Sequence, residues 1–69
     1  MPLSMAGAGE TNYIRKIIGK DQVRRHLENL GFVIGEPVTV ISQMNGNMIL
    51  SIKNSRIALD KSMANRIMI

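Results

Sequence analysis

The sequence predicts a mainly β domain: a small closed or nearly closed barrel, with one short helix inserted between the first two strands. Three observations carry this. Short runs rich in β-branched residues, at 11–18, 38–41, 48–53, 56–59 and 66–69, are separated by turn-forming residues. One stretch, Asp21–Leu30, has helical spacing instead, with Val23, Leu27 and Leu30 at i, i+4 and i+7. The chain has 69 residues, which implies a single domain over 1–69 with a limited core, and closing the short strands into a barrel removes exposed edges.

The elements follow in order. Residues 1–9 contain Pro2, Gly7 and Gly9 and read as a loosely held segment, with Leu3 and Met5 as the residues that could tuck against the domain. Thr11–Ile18 is the first strand. Ile14 and Ile17 break its alternation, so a bulge or burial on both faces is expected. Gly19-Lys20 leads into the helix, and Asp21 is the expected N-cap, because its carboxylate can accept a first-turn N–H. Gly31 stands where the chain turns left-handed to stop the helix, which brings Phe32 back toward Leu27. Gly35 suits the positive φ of a type II turn over Val33–Glu36. Val38–Ile41 and Met48–Lys53 are the second and third strands, joined by a hairpin at Asn45-Gly46.

Two registers compete in this hairpin. A two-residue loop pairs Met44 with Asn47 and sets Val40 against Ser51. A three-residue loop pairs Gln43 with Asn47 and sets Val40 against Leu50. A slip of one residue exchanges the two faces. The second register gathers Val38, Val40, Leu50 and Ile52 on one face, and is therefore the expected one. It leaves Ile41 and Ile49 as a cross-strand pair on the other face. Asn54-Ser55 is a tight turn, Arg56–Leu59 a fourth strand with Ile57 and Leu59 alike, Asp60 the cap of one helical turn through Ala64, and Arg66–Ile69 a last strand. The six methionines are expected to fill gaps in the core.

Chemistry is sparse. There is no cysteine, hence no disulfide and no thiolate, which fits a reducing cytoplasm. No apolar run reaches the ~18–20 residues of a membrane span, and no basic region precedes an apolar core as in a signal peptide. The single histidine, His26, lies in the helix beside Leu27 and reads as a packed or half-exposed helix residue. With five scattered carboxylates and one histidine, no catalytic, cofactor-binding or metal-ligating set is expected. Gly31-x-x-x-Gly35 lacks the Lys-Ser/Thr of a phosphate loop. The net charge of +4 favours acidic partners, or simply keeps a small domain in solution. A small basic barrel that binds nucleic acid is the alternative reading. Tyr13 and Phe32 are the sole aromatics, however, and Arg24-Arg25 is one basic spot rather than a stripe, so nucleic acid is the weaker expectation.

Leu3, Gly9-Glu10, Ile14, Ile17, the run Arg24-Arg-His-Leu-Glu-Asn-Leu-Gly-Phe32, Gly35, Val38-Thr-Val40, Arg56-Ile-Ala-Leu59, Ala64 and Ile67 together resemble the FeoA family. These are small cytoplasmic accessory proteins of bacterial ferrous iron transport. The chain departs from the family's pattern at Ile34, where proline is frequent, at Asn54, where glycine is frequent, and at Asp60, where arginine is frequent. Its hairpin is also shorter than in many members.

The resemblance implies an SH3-like β-barrel with a helical insertion, no enzymatic activity, and one protein partner: the cytosolic part of the FeoB membrane GTPase transporter. It extends to the C-terminal domain of diphtheria-toxin-repressor-type metalloregulators, so an interaction module of such a regulator is a further alternative. No cofactor and no membrane insertion is implied. A second copy of the chain is the other candidate partner. The residues expected to meet the partner are Ile41 and Ile49 on the outer face of the hairpin, with Lys20, Arg24 and Arg25 steering toward acidic groups. Thr39, Gln43, Asn47, Ser51 and Lys53 would form the polar rim. The plainer reading is that the two isoleucines are ordinary surface, or are covered by the N-terminal segment.

Overall fold

The computed structural model describes residues 1–69. Its strands are β1 (Thr11–Tyr13), β2 (Lys16–Ile17), β3 (Pro37–Met44), β4 (Asn47–Ile52), β5 (Ser55–Asp60) and β6 (Ile67–Met68). Helix α1 (Asp21–Leu30) lies between β2 and β3, and the short helix α2 (Lys61–Ala64) between β5 and β6. One antiparallel sheet has the order β1-β3-β4-β5, and a second pairs β2 with β6. The architecture is the expected SH3-like barrel.

The expected three-residue loop, with Gln43 opposite Asn47, is corrected at the tip of the hairpin, while the expected pairing of Val40 with Leu50 holds at its base. At the tip a two-residue loop, Asn45-Gly46, has φ of 46° and 84°, and Met44 pairs with Asn47. Nearer the base, Val40 pairs with Leu50, as face burial requires. A bulge between Val40 and Ser42 makes up the difference of one residue. Turn chemistry decides the tip and burial decides the base. The expected cross-strand pair is thereby corrected: Ser42, not Ile41, stands opposite Ile49. Val38, Val40, Met48, Leu50 and Ile52 all face the core.

The first strand divides in two because the chain crosses from one sheet to the other. After β1 pairs with β3, Ile14 donates its N–H to Glu36 (3.0 Å), and Arg15 donates to Met68 (2.8 Å) on the second sheet. Both Ile14 and Ile17 are buried by this crossing, which accounts for their odd spacing.

Helix α1 ends as expected. Gly31 has φ 109°, its N–H donates to Glu28 O at 2.9 Å, and Phe32 N–H reaches back to Leu27 O at 2.9 Å. These are the two bonds of a Schellman stop. Leu27 and Phe32 are both fully buried. Gly35 has φ 91°, and Glu36 N–H donates to Val33 O at 3.1 Å, as the type II turn requires. The helix start is corrected. Lys20 is the N-cap, with no side-chain bond, and Asp21 is already helical. Asp21 instead lies 3.9 Å from Arg24, an exposed contact.

The N-terminal segment is held, not loose. Leu3–Met5 forms a single 3-10 turn, with Leu3 and Ala6 buried. Gln43 Nε2 donates to Ala6 O (2.7 Å), and Gly9 N–H donates to Val40 O (2.7 Å). Met5 does not tuck in: it is 70 % exposed. The methionine expectation holds only in part: Met48 is buried in the core and Met63 packs against it, whereas Met1, Met5 and Met44 are exposed. The tight turn after β4 is Lys53-Asn54, both at positive φ, so β5 starts at Ser55 and runs to Asp60. Asp60 caps α2 as expected, accepting Met63 N–H at 2.9 Å.

Candidate functional site

The outer face of the four-stranded sheet is built by alternation. With Val40, Leu50 and Leu59 inward, the residues between them turn out. Ile49 is half-buried and Ala58, its partner on β5, is exposed. Ile41, in the bulge, is 39 % exposed, and Met44 near the tip is exposed. Thr11 and Thr39 hydroxyls meet at 2.8 Å on the same face, and Ser51 continues that polar row toward Arg56. The result is a modest apolar strip edged by hydroxyls. Thr39, Asn47, Ser51 and Lys53 keep some exposure, as the rim requires. Gln43 is exposed too, but its amide is turned to Ala6 O.

Lys20, Arg24 and Arg25 are all exposed at the start of α1. No hydrogen bond or ion pair joins them to the sheet face. The structure therefore places the five residues in two groups, one on the helix and one on the sheet. Sequence reasoning missed a second feature of the helix side. A groove of about 450 Å³ runs between α1 and β2, lined by Lys16, Ile17, Arg24, Glu28 and Ile34. It joins two isoleucines to two basic residues and one acid. Ile34 is 68 % exposed in the turn before β3, although its side chain is aliphatic. That apolar residue in a turn, with no strand or helix to bury it, was the available signal. The groove itself comes from two segments brought together by folding.

His26 is exposed, and no three His, Asp or Glu side chains converge. The Met63 N–H, and then the Ser62 hydroxyl at 2.9 Å, hold the Asp60 carboxyl below the usual carboxylate range. Both bonds belong to the helix cap. No pair of acid and base is assembled around it. No helix is long and apolar enough to cross a membrane.

Fold and surface define a small SH3-like barrel that presents an apolar sheet face and a basic helix side. The FeoA domain model matches residues 1–69, and the chain belongs to the FeoA family. A relative from Methanocaldococcus jannaschii, named Fe(2+) transport protein A, is 35 % identical over 68 residues, covering 99 % of this chain and 83 % of its own. The crystal structure of an iron uptake regulatory protein, FeoA, aligns with a TM-score of 0.88 and 32 % identity, over 96 % of this chain and 88 % of that one. The zinc-complexed FeoA of Stenotrophomonas maltophilia, an SH3 domain protein, aligns at 0.86 and 26 % identity, over 99 % and 87 %. In fold alone the similarity extends to a manganese-dependent transcriptional repressor, at 0.89 and 18 % identity, over 97 % of this chain and 39 % of the repressor.

Proposed function

We propose that this chain is a non-enzymatic accessory module of ferrous iron transport that works in the cytoplasm by docking on the cytosolic part of a FeoB-type membrane GTPase. The observation that carries the reading is membership of the FeoA family over the full 69 residues. The names of its relatives, Fe(2+) transport protein A among them, support the transport role. The Stenotrophomonas maltophilia relative has itself been proposed as a ferrous iron transport activating factor. The lack of converging acid, base and nucleophile supports a binding role rather than a catalytic one.

Docking uses one group on the sheet face and one at the start of the helix. Ile41 and Ile49 supply apolar area on the outer sheet face, and Lys20, Arg24 and Arg25 supply attraction toward an acidic partner surface. The test is capture of the transporter from detergent-solubilised membranes by the immobilised chain. Membranes that contain the transporter should yield it, and membranes that lack it should yield nothing at its mass. Ile41→Thr with Ile49→Thr keeps β-branching while removing apolar area, and should weaken capture without unfolding the domain. Arg24→Glu with Arg25→Glu should slow association and flatten its salt dependence. Undiminished capture by both double variants would remove these four residues from the interface, and absence of capture by the parent chain would defeat the docking role.

A further inference from the structure

β5 is the outermost strand of its sheet and pairs only with β4. The Lys53-Asn54 loop leaves Ile52 and Ser55 as the closing pair. In a two-residue hairpin that pair exchanges both backbone bonds, and bonded pairs then alternate with unbonded ones. Ser55, Ile57 and Leu59 therefore direct their N–H and C=O groups to β4. Arg56, Ala58 and Asp60 direct theirs to the open side, and no other backbone bond reaches Arg56 or Ala58 there. All three residues are exposed. The strand is regular, six residues long, with no proline and no bulge. It has neither the proline nor the bulge that often blunts an edge, and its two charged residues, Arg56 and Asp60, are of opposite sign.

The edge is also self-complementary. Antiparallel pairing of two copies about Ala58 sets Ala58 against Ala58 and Arg56 of each copy against Asp60 of the other. Both residues project from the outer face, where directly opposed side chains of opposite charge attract. Asp60 Oδ1 is occupied by Met63 N–H and Ser62, which leaves Oδ2 for the guanidinium. The same register directs the outward N–H and C=O groups of Ala58 to each other, and gives Asp60 N–H the carbonyl of Arg56. It also sets half-buried Ile57 beside Leu59 of the second copy, on the inner face. Neighbouring registers lose this match. Centred on Ile57, the pairing puts Arg56 opposite Ala58; centred on Arg56, it opposes two like charges.

We propose that two copies of this chain associate through β5, in the register centred on Ala58, to form one continuous eight-stranded sheet. The symmetry is two-fold and the interface isologous. Both outer faces lie on the same side of the joined sheet, so the two Ile41–Ile49 strips are presented together. One added strand pair is smaller than the interface of about 1,200 Å² or more that marks a stable complex, so the dimer is weak and builds up with concentration.

The experiment is sedimentation velocity on the full chain from about 20 μM to about 2 mM, with amide exchange measured by NMR at both ends of that range. The average mass should rise toward the dimer, and the Ala58 and Asp60 amides should slow with concentration, whereas Ile57 and Leu59 amides are slow throughout. Arg56→Asp opposes two acids at each end of the interface and should weaken association about tenfold or more. Asp60→Asn added to that variant keeps a good N-cap and removes the repulsion, so it should restore part of the loss. Ala58→Pro removes an outward N–H that β4 does not use and should abolish the dimer. If this proline variant fails to fold, Arg56→Asp, at an exposed position, decides alone. A parent chain that stays monomeric throughout, or concentration-independent exchange at Ala58 and Asp60, or unweakened association of Arg56→Asp, each overturns the proposal.

Discussion

The two helices are secured at opposite ends. Helix α1 has ten residues, starts without a side-chain cap, and is closed at its C-terminus by Gly31 and Phe32. Helix α2 has four residues, and its N-terminus is held by Asp60. Both begin next to an aspartate, yet only one of these works as a cap. The difference is backbone position. Asp60 lies outside its helix, extended at φ −73° and ψ 164°, so its carboxylate can fold back onto Met63 N–H. Asp21 lies one residue too far in, because Lys20 holds the extended position. An acid at a helix start is thus a cap only where the chain is still extended. Inside the first turn it is merely a favourable charge.

The largest effect should come from the C-terminal anchor of α1. Phe32→Ala removes a fully buried ring, and a cost of about 3–5 kcal/mol is expected from lost burial and the cavity left behind. In so small a domain this approaches total stability, so the variant should be largely unfolded by circular dichroism at room temperature. A native spectrum with a cooperative melt near that of the parent would show that the core closes without it.

Gly31→Ala should come next. A Cβ at this glycine would meet Ile52 Cγ2 and Lys53 Cδ at 3.7 Å, ordinary contact, so the cost is conformational. With φ at 109°, about 1–2 kcal/mol is expected. Glu28→Ala, on the exposed side of the same turn, is the control. Matching urea midpoints for the two variants would mean that the left-handed stop contributes nothing.

The aspartates sharpen the contrast between the helices. Asp60→Ala should lower the denaturation midpoint more than Asp21→Ala, which loses only an exposed charge near the helix start. Asp60→Asn should stay close to the parent at neutral pH. The native pKa of Asp60 is lowered, so the cap's contribution is complete above the ordinary carboxylate range and is lost as pH falls through the native value. The gap between parent and Asp60→Ala should therefore close with acid, while Asp60→Asn keeps its cap there. A parent-to-Asp60→Ala gap that is constant across this window would contradict the carboxylate cap.

The smallest expected effect is none. Neither Asp21 nor Asp60 has two further acidic or imidazole donors converging with it. Micromolar ferrous, zinc or manganese ions should leave the melting temperature unchanged, since binding to the native state would raise it. A saturable upward shift would reveal a site built from other groups.

Much of the fold was legible from local chemistry. Gly31, Gly35 and Asn45-Gly46 announced their backbone geometry, and Asp60 announced its cap, because each acts on residues a few positions away. The alternation of Val38, Val40, Leu50 and Ile52 named the buried face for the same reason. The candidate surface was legible in part. Exposure of Arg24 and Arg25 followed from helix periodicity, whereas the place of Ile41 depended on a bulge that no local signal marks.

The sequence by itself determined the mainly β class, the position of the inserted helix, where it stops, and which side of the central hairpin faces inward. These depend on dihedral preference and on side-chain periodicity, both of which act over a few residues. Tertiary structure decided the rest. It split the first strand between two sheets, drew residues 1–9 onto β3 and β6, placed a bulge at Ile41, brought Ile34 beside Lys16 and Arg24, and left β5 as an open edge. Each of these depends on which distant segment supplies a hydrogen-bond partner. That competition is settled only when the whole chain closes around one core, where buried backbone groups must find partners and most exposed ones need not.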